Sequence, residues 1–144
     1  MRATRESVYA ALFALLETVP NLTTVSRRLQ SVQDIQPESF PAAFQLQGDQ
    51  QVTYKGSVPS IFTWQASWIL NAYEADQTAA PSTQLNEMID AVSAVLAPAA
   101  GQTCQTLGGL VTHAGISGNI QIYEGVLGDR AVAIVPISIV LAGF

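Results

Sequence analysis

With 144 residues, 49% of them hydrophobic and 12% charged, and a formal net charge of −5, the chain is expected to form a single domain (1–144) around one real core. Its basic residues, Arg2, Arg5, Arg27, Arg28, Lys55 and Arg130, are scattered, so no basic stripe is available to grip phosphates and sequence-specific nucleic-acid binding is not expected. No hydrophobic run reaches membrane length, and a mean hydropathy of +0.27 points to excess apolar surface that partners would cover.

The N-terminus carries Arg2 and Arg5, but Glu6, Glu17 and polar residues break up the apolar stretch beyond them, unlike the charged-then-apolar layout of a secretory signal. The one cysteine, Cys104, cannot close an internal disulfide. Both features are those of a chain made and kept, at least initially, in a reducing cytosol.

Thr4 is placed to cap a helix from about Arg5 to Thr18, with Asn21 marking the exit after Pro20. At about 100° per residue, Val8, Leu12, Leu15 and Val19 share a face, and Tyr9, Phe13 and Leu16 widen the apolar arc past half the circumference. So apolar a helix calls for two neighbours. The Tyr9/Phe13 flank is expected to stay exposed in a monomer and to lie at a subunit interface. Thr23 to Leu29 and Phe40 to Gln47 read as short strands, with a turn around Pro37 between them. Residues 48–59 are polar and glycine-flanked, the profile of a solvated loop or of a protruding hairpin arm, with Asp49 at its start and Tyr54 and Lys55 near its tip.

Next comes the cleanest alternation in the chain. Phe62, Trp64, Ala66, Trp68, Leu70 and Ala72 fall on one face and Thr63, Gln65, Ser67 and Asn71 on the other, a strand of eleven residues and roughly 36 Å at about 3.3 Å per residue. Its aromatic face belongs against helices. Ser82 or Thr83 is expected to cap a second helix, in which Leu85, Met88, Ile89, Val92 and Leu96 share one side while Glu87, Asp90 and Ser93 face water; Pro98 and Gly101 end it. In the last quarter, Ile120–Glu124 alternates and Ala131–Val140 is apolar on both sides, with Gly125 and Gly128 in the turn between. The last strand is therefore expected to be covered on both faces. The order helix, strands, long strand, helix, strands predicts an α+β fold, a mostly antiparallel (mixed) sheet with two α-helices on one face.

Chemistry is sparse. Cys104 and His113 lie nine residues apart, and a thiol–imidazole pair would need both in one cleft with a third group orienting the ring. A polar pair in a β-rich loop is the plainer reading of the two. Glu87 and Asp90 are three apart on a solvent face with no His or Cys beside them, so no metal site is expected. The glycine pairs around Gly108, Gly115 and Gly125 do not precede a helix with a Lys-Ser or Lys-Thr pair, so no phosphate-cradling loop and no cofactor is expected. The chain is not read as an enzyme.

These pieces in this order resemble the tail terminator (tail completion, minor tail) proteins of tailed bacteriophages. The resemblance rests on the N-terminal helix, Val25-Ser-Arg27, Phe40-Pro-Ala-Ala-Phe44 entering a strand, the aromatic strand to Tyr73-Glu74, and Leu85-Asn86 through Ile89-Asp90-Ala91. It continues with Gln105-Thr-Leu-Gly-Gly-Leu-Val111 and with Glu124-Gly-Val-Leu-Gly128 before Ala131-Val-Ala-Ile-Val-Pro-Ile137. Each piece alone is weak; order and spacing carry it, more so in the C-terminal half.

The resemblance implies a virion structural protein, assembled in the host bacterial cytoplasm. It would form a homo-oligomeric ring, typically a hexamer, on the last ring of tail-tube protein, stop polymerisation there, and present a surface to the head-completion or neck protein. DNA would pass through the lumen without specific binding, and no membrane is involved. The arm around Asp49, Tyr54 and Lys55 is then a candidate contact with the tube or a neighbouring subunit. Another neck, head-completion or tube-like protein would share the same small domain. The remaining alternative is a small cytosolic enzyme using Cys104 and His113.

Overall fold

The computed structural model of the chain describes residues 3–142. Helix α1 spans Arg5–Glu17. Its start is fixed by a reciprocal cap, in which the Thr4 hydroxyl accepts from the Ser7 amide at 3.0 Å and the Ser7 hydroxyl accepts from the Thr4 amide at 2.8 Å. The chain leaves the helix through Thr18 and reverses at Asn21, whose φ of 66° is one that asparagine tolerates better than most residues.

The described strands are β1 (Thr24–Ser26), β2 (Ala42–Lys55), β3 (Val58–Tyr73), β4 (His113–Ile116), β5 (Gln121–Val126) and β6 (Arg130–Ala142). They form one six-stranded sheet in the order β1-β2-β3-β6, with β4 and β5 each pairing to the far side of β6. Only the β1–β2 pair is parallel. The expected α+β fold with a mostly antiparallel, mixed sheet is therefore the observed one. Helix α2 spans Pro81–Val95 and lies with α1 on the same face. Pro81, rather than Ser82 or Thr83, begins it: the cap position is Ala80, without a side-chain hydrogen bond, and proline suits the first helical position because that N–H has no partner anyway.

The core follows from the register. Gln45, Trp68 and Val135 lie abreast, as do Ala43, Leu70 and Ala133, and the whole Phe62–Ala72 face is buried beneath the helices. Val8, Tyr9, Leu12 and Leu16 from α1 and Leu85, Met88 and Val92 from α2 complete this core. One polar side chain sits inside it with both ends satisfied. Gln45 Oε1 accepts from Trp68 Nε1 and its Nε2 donates to the Tyr9 carbonyl, each at 3.0 Å. Truncating either fully buried tryptophan to alanine would cost about 3–5 kcal/mol.

One open reading closes and one expectation changes. For 48–59 the choice left open between a loop and a hairpin arm closes on the hairpin, because β2 continues paired to β3 as far as Lys55 opposite Val58, around a turn at 56–57; cross-strand pairing outweighs weak local propensity. The pairing shifts between Gln47 and Gln50, and there Gly48 approaches β3 so closely that a Cβ would lie 3.0 Å from Gln65 Cβ, which only glycine avoids.

The change concerns β6, whose helix-side residues Ala131 to Leu141 are buried while Val132, Ile134, Pro136, Ser138 and Val140 on the other side are only half-buried. The helices cover one face of the sheet. The second is covered at one end only, by the segment between β1 and β2 with its 3-10 turns at Val32–Asp34 and Pro37–Ser39.

That cover is held by a cation. Arg130 Nη1 donates to the carbonyls of Val32 and Ile35, and its guanidinium lies over the rings of Phe40 and Tyr73, 5.1 and 5.7 Å from their centroids. The two rings stack at 5.3 Å, and Ile35 and Phe44 are buried beside them as a second small core.

Candidate interaction surfaces

The arm grows out of the sheet as β2 and β3 outrun their neighbours. The β3–β6 register begins at Ile61 opposite Ala142, and β1 covers β2 only at Ala42–Phe44, so toward the Gly56-Ser57 turn the hairpin is a two-stranded ribbon. Every residue from 51 to 59 is exposed, and four large apolar residues of the hairpin lie open to water: Val52, Tyr54 (59% exposed), Val58 (63%) and Ile61. A free two-stranded ribbon is marginal in water, and exposed apolar residues on it gain from a partner. Asp49 is exposed at the shift in register, and Lys55 at the tip.

Gln50 belongs to the body rather than to the arm. Its Oε1 accepts from Arg5 Nε at 2.7 Å and its Nε2 donates to the Tyr9 hydroxyl at 3.4 Å. A deletion that begins at residue 50 would therefore damage the core as well as the arm.

Tyr9 is not an exposed flank. It has no accessible surface, stacks on Trp64 at 5.8 Å with 16° between the ring planes, and donates through its hydroxyl to the Gln65 carbonyl at 3.2 Å. Burial raises its pKa above 10.0, partly offset by the hydrogen bond from Gln50. Phe13 is half-buried against the same core. The second neighbour that so apolar a helix calls for is the long strand beneath it, where Trp64 takes the surface that the sequence leaves to another subunit. The premise for placing Tyr9 at an interface is thus overturned.

A shallow apolar groove of about 100 Å³ lies at the other end of the hairpin, lined by Leu22, Pro41, Gln84, Glu87, Met88 and Ala91 among others. Glu87 on its rim is exposed, and so is Asp90 one turn on along α2. This groove was not legible in the sequence, because the exit of α1 and the approach to β2 meet the flank of α2 only in the fold. The amphipathic pattern of α2 marks Met88 as core without showing that its rim stays open.

A larger, polar cleft of about 360 Å³ runs along Tyr73–Gln77 and Leu127–Asp129. Its carboxylates staple turns. Asp76 accepts from the Thr78 amide and hydroxyl at 2.9 and 2.8 Å, which holds its pKa below 3.8, and Glu74 Oε1 accepts from the Asp76 amide at 3.0 Å.

Cys104 and His113 do not form the pair that thiol–imidazole chemistry requires. The half-buried thiol donates to the Thr112 carbonyl at 3.4 Å, while the exposed His113 sits on β4 opposite Val140. Among the described residues no group of three His, Cys, Asp or Glu is placed to hold a metal ion, and no helix is long and apolar enough to cross a membrane. The sequence matches no protein-family model and no curated protein.

Proposed function

We propose that the chain is a structural subunit of a bacteriophage tail, forming a ring that caps the tail tube, ends its polymerisation and offers the surface on which the head-completion complex joins. The observation that carries this reading is the arm, a hairpin whose tip runs beyond the sheet, with Tyr54 and Val58 on the tip and Val52 and Ile61 at its base left in water. Such a ribbon on an otherwise well-packed small domain is a device for holding another protein. The α+β fold is the one that the resemblance to tail terminators implies. The half-covered second face of the sheet adds further apolar surface for assembly. A net charge of −5 suits a passage for DNA, since a lumen without basic residues lets the duplex slide where a basic one would hold it.

The test is to add the chain to polymerising tail-tube protein and measure tube length, beside a variant in which Tyr54–Pro59 is replaced by Asn-Gly. Thr53 pairs with Ile61, and Ser60 sits beside that pair at a shift in register with its hydroxyl donating to the Thr53 carbonyl at 3.2 Å, so Asn-Gly followed by Ser60 makes a three-residue loop that can close the shortened hairpin there. The wild-type chain is expected to cap tubes at short length. The trimmed chain is expected to keep its melting temperature within a few degrees and to lose capping. Tubes unaffected by the wild-type chain would contradict the proposal; a wild-type chain that itself polymerises into tubes would favour a tube-like neck protein instead.

A further inference from the structure

Two apolar features among the described residues, the arm tip and the groove beside α2, match each other in size and in charge. We infer that the arm tip of one copy seats in the α2 groove of a second copy, with Tyr54 over Met88 and Leu22 and Lys55 against Glu87 and Asp90. The groove, at about 100 Å³, is well below the ~300–1,000 Å³ of small-molecule sites, and suits one side chain. Tyr54 is the largest exposed side chain at the tip, and aromatic residues are the usual anchors of protein contacts.

Charge makes the match directional. Arg27 pairs with Glu6, Arg130 lies beside Asp129, and Arg5 lies over Trp64, while the exposed Arg28, just past the end of β1, has no carboxylate partner among the described residues. Lys55 at the arm tip has no carboxylate partner among the described residues, and neither Glu87 nor Asp90 has a cationic one; all three are accessible to solvent. Opposite charges placed this way fix register and suppress wrong pairings more than they add affinity.

Distance makes the contact intermolecular. The groove includes Pro41, just before β2, and the tip lies at the far end of that 14-residue strand, roughly 40 Å away at about 3.3 Å per residue. No copy can fill its own groove. A tip-to-groove contact is heterologous, and repeated from copy to copy it gives a ring where the rotation closes and an open filament where it does not. The inference rests on the ring reading above for its closure, though not for the contact itself.

The test reverses each charge. Lys55→Glu and the double change Glu87→Lys/Asp90→Lys alter solvent-facing side chains only, so both variants are expected to keep the wild-type melting temperature. Each is expected to weaken self-association roughly tenfold or more by light scattering, and the triple variant to recover it. In parallel, chains carrying Ser57→Cys and Ala91→Cys, each with Cys104→Ser, are mixed and oxidised. A mixed disulfide dimer is expected, and Lys55→Glu should reduce it by a similar factor.

Absence of the mixed dimer, unchanged association in either reversed variant, or a triple variant no better than its parents overturns the contact. Those results with an intact wild-type ring remove the arm–groove contact alone. A wild-type chain that forms no ring, in solution or on the tube, removes the ring reading, and cross-linking still decides the contact.

Discussion

Tyr9 joins three parts of the molecule. Its backbone carbonyl accepts from Gln45, its ring stacks on Trp64, and its hydroxyl bridges Gln50 and Gln65. Burial keeps the phenol neutral, with its pKa raised above the ordinary 10.0. The fold therefore loses stability as pH rises: the contribution is complete below about pH 10, where folded and unfolded phenols are both protonated. Above that the unfolded phenol ionises first, and stability declines until the folded pKa is passed. Tyr9→Phe removes this dependence. It should cost about 0.5–1.5 kcal/mol at pH 7 for the lost hydrogen bond, and its urea midpoint should fall less steeply than that of the wild type between about pH 9 and 11. Equal slopes would show that Tyr9 ionises as freely in the fold as outside it. Helical spacing in the sequence shows that Tyr9 belongs to an apolar arc, but it cannot say whether a strand or another subunit covers that arc. The partner is Trp64, 55 residues away, and nothing local to α1 announces it.

Among the elements, the strands with one strong pattern were legible and those defined by pairing were not. The alternation from Phe62 to Ala72 gives the buried face of β3 without error, and Thr4 gives the start of α1. By contrast β2 runs on through a polar stretch because β3 is there to pair with it, and α2 starts one residue before the serine that looked like its cap. On β6, the two-sided apolar run read as a doubly covered strand, yet the cover on its second face is only the short segment that Arg130 holds down. Arg130 was visible only as one scattered cation, since its carbonyl partner Ile35 lies 95 residues earlier in the chain. Arg130→Met keeps much of the side-chain volume but withdraws two charge-assisted hydrogen bonds and the cation over Phe40 and Tyr73. The expected loss is about 2–4 kcal/mol, read as a lower denaturant midpoint together with faster proteolysis between β1 and β2. A midpoint within error of the wild type would mean that the small core around Ile35 and Phe40 stands without it.

For the molecule as a whole, the fold class followed from the order of its elements, whereas the surfaces available for assembly emerged only from the packed structure. The helices take one face of the sheet, the arm projects from one end of the hairpin, and the groove opens at the other, which gives a molecule with a head and a tail. That polarity is what a closed ring of identical copies requires, and the ring on a tail tube is the central claim. The most direct measurement is the mass of the purified chain by light scattering across concentration and salt, followed by mixing with polymerising tail-tube protein. A closed ring, or a monomer that blocks further tube growth when added, is the predicted result. A strict monomer that leaves tube length unchanged would contradict it.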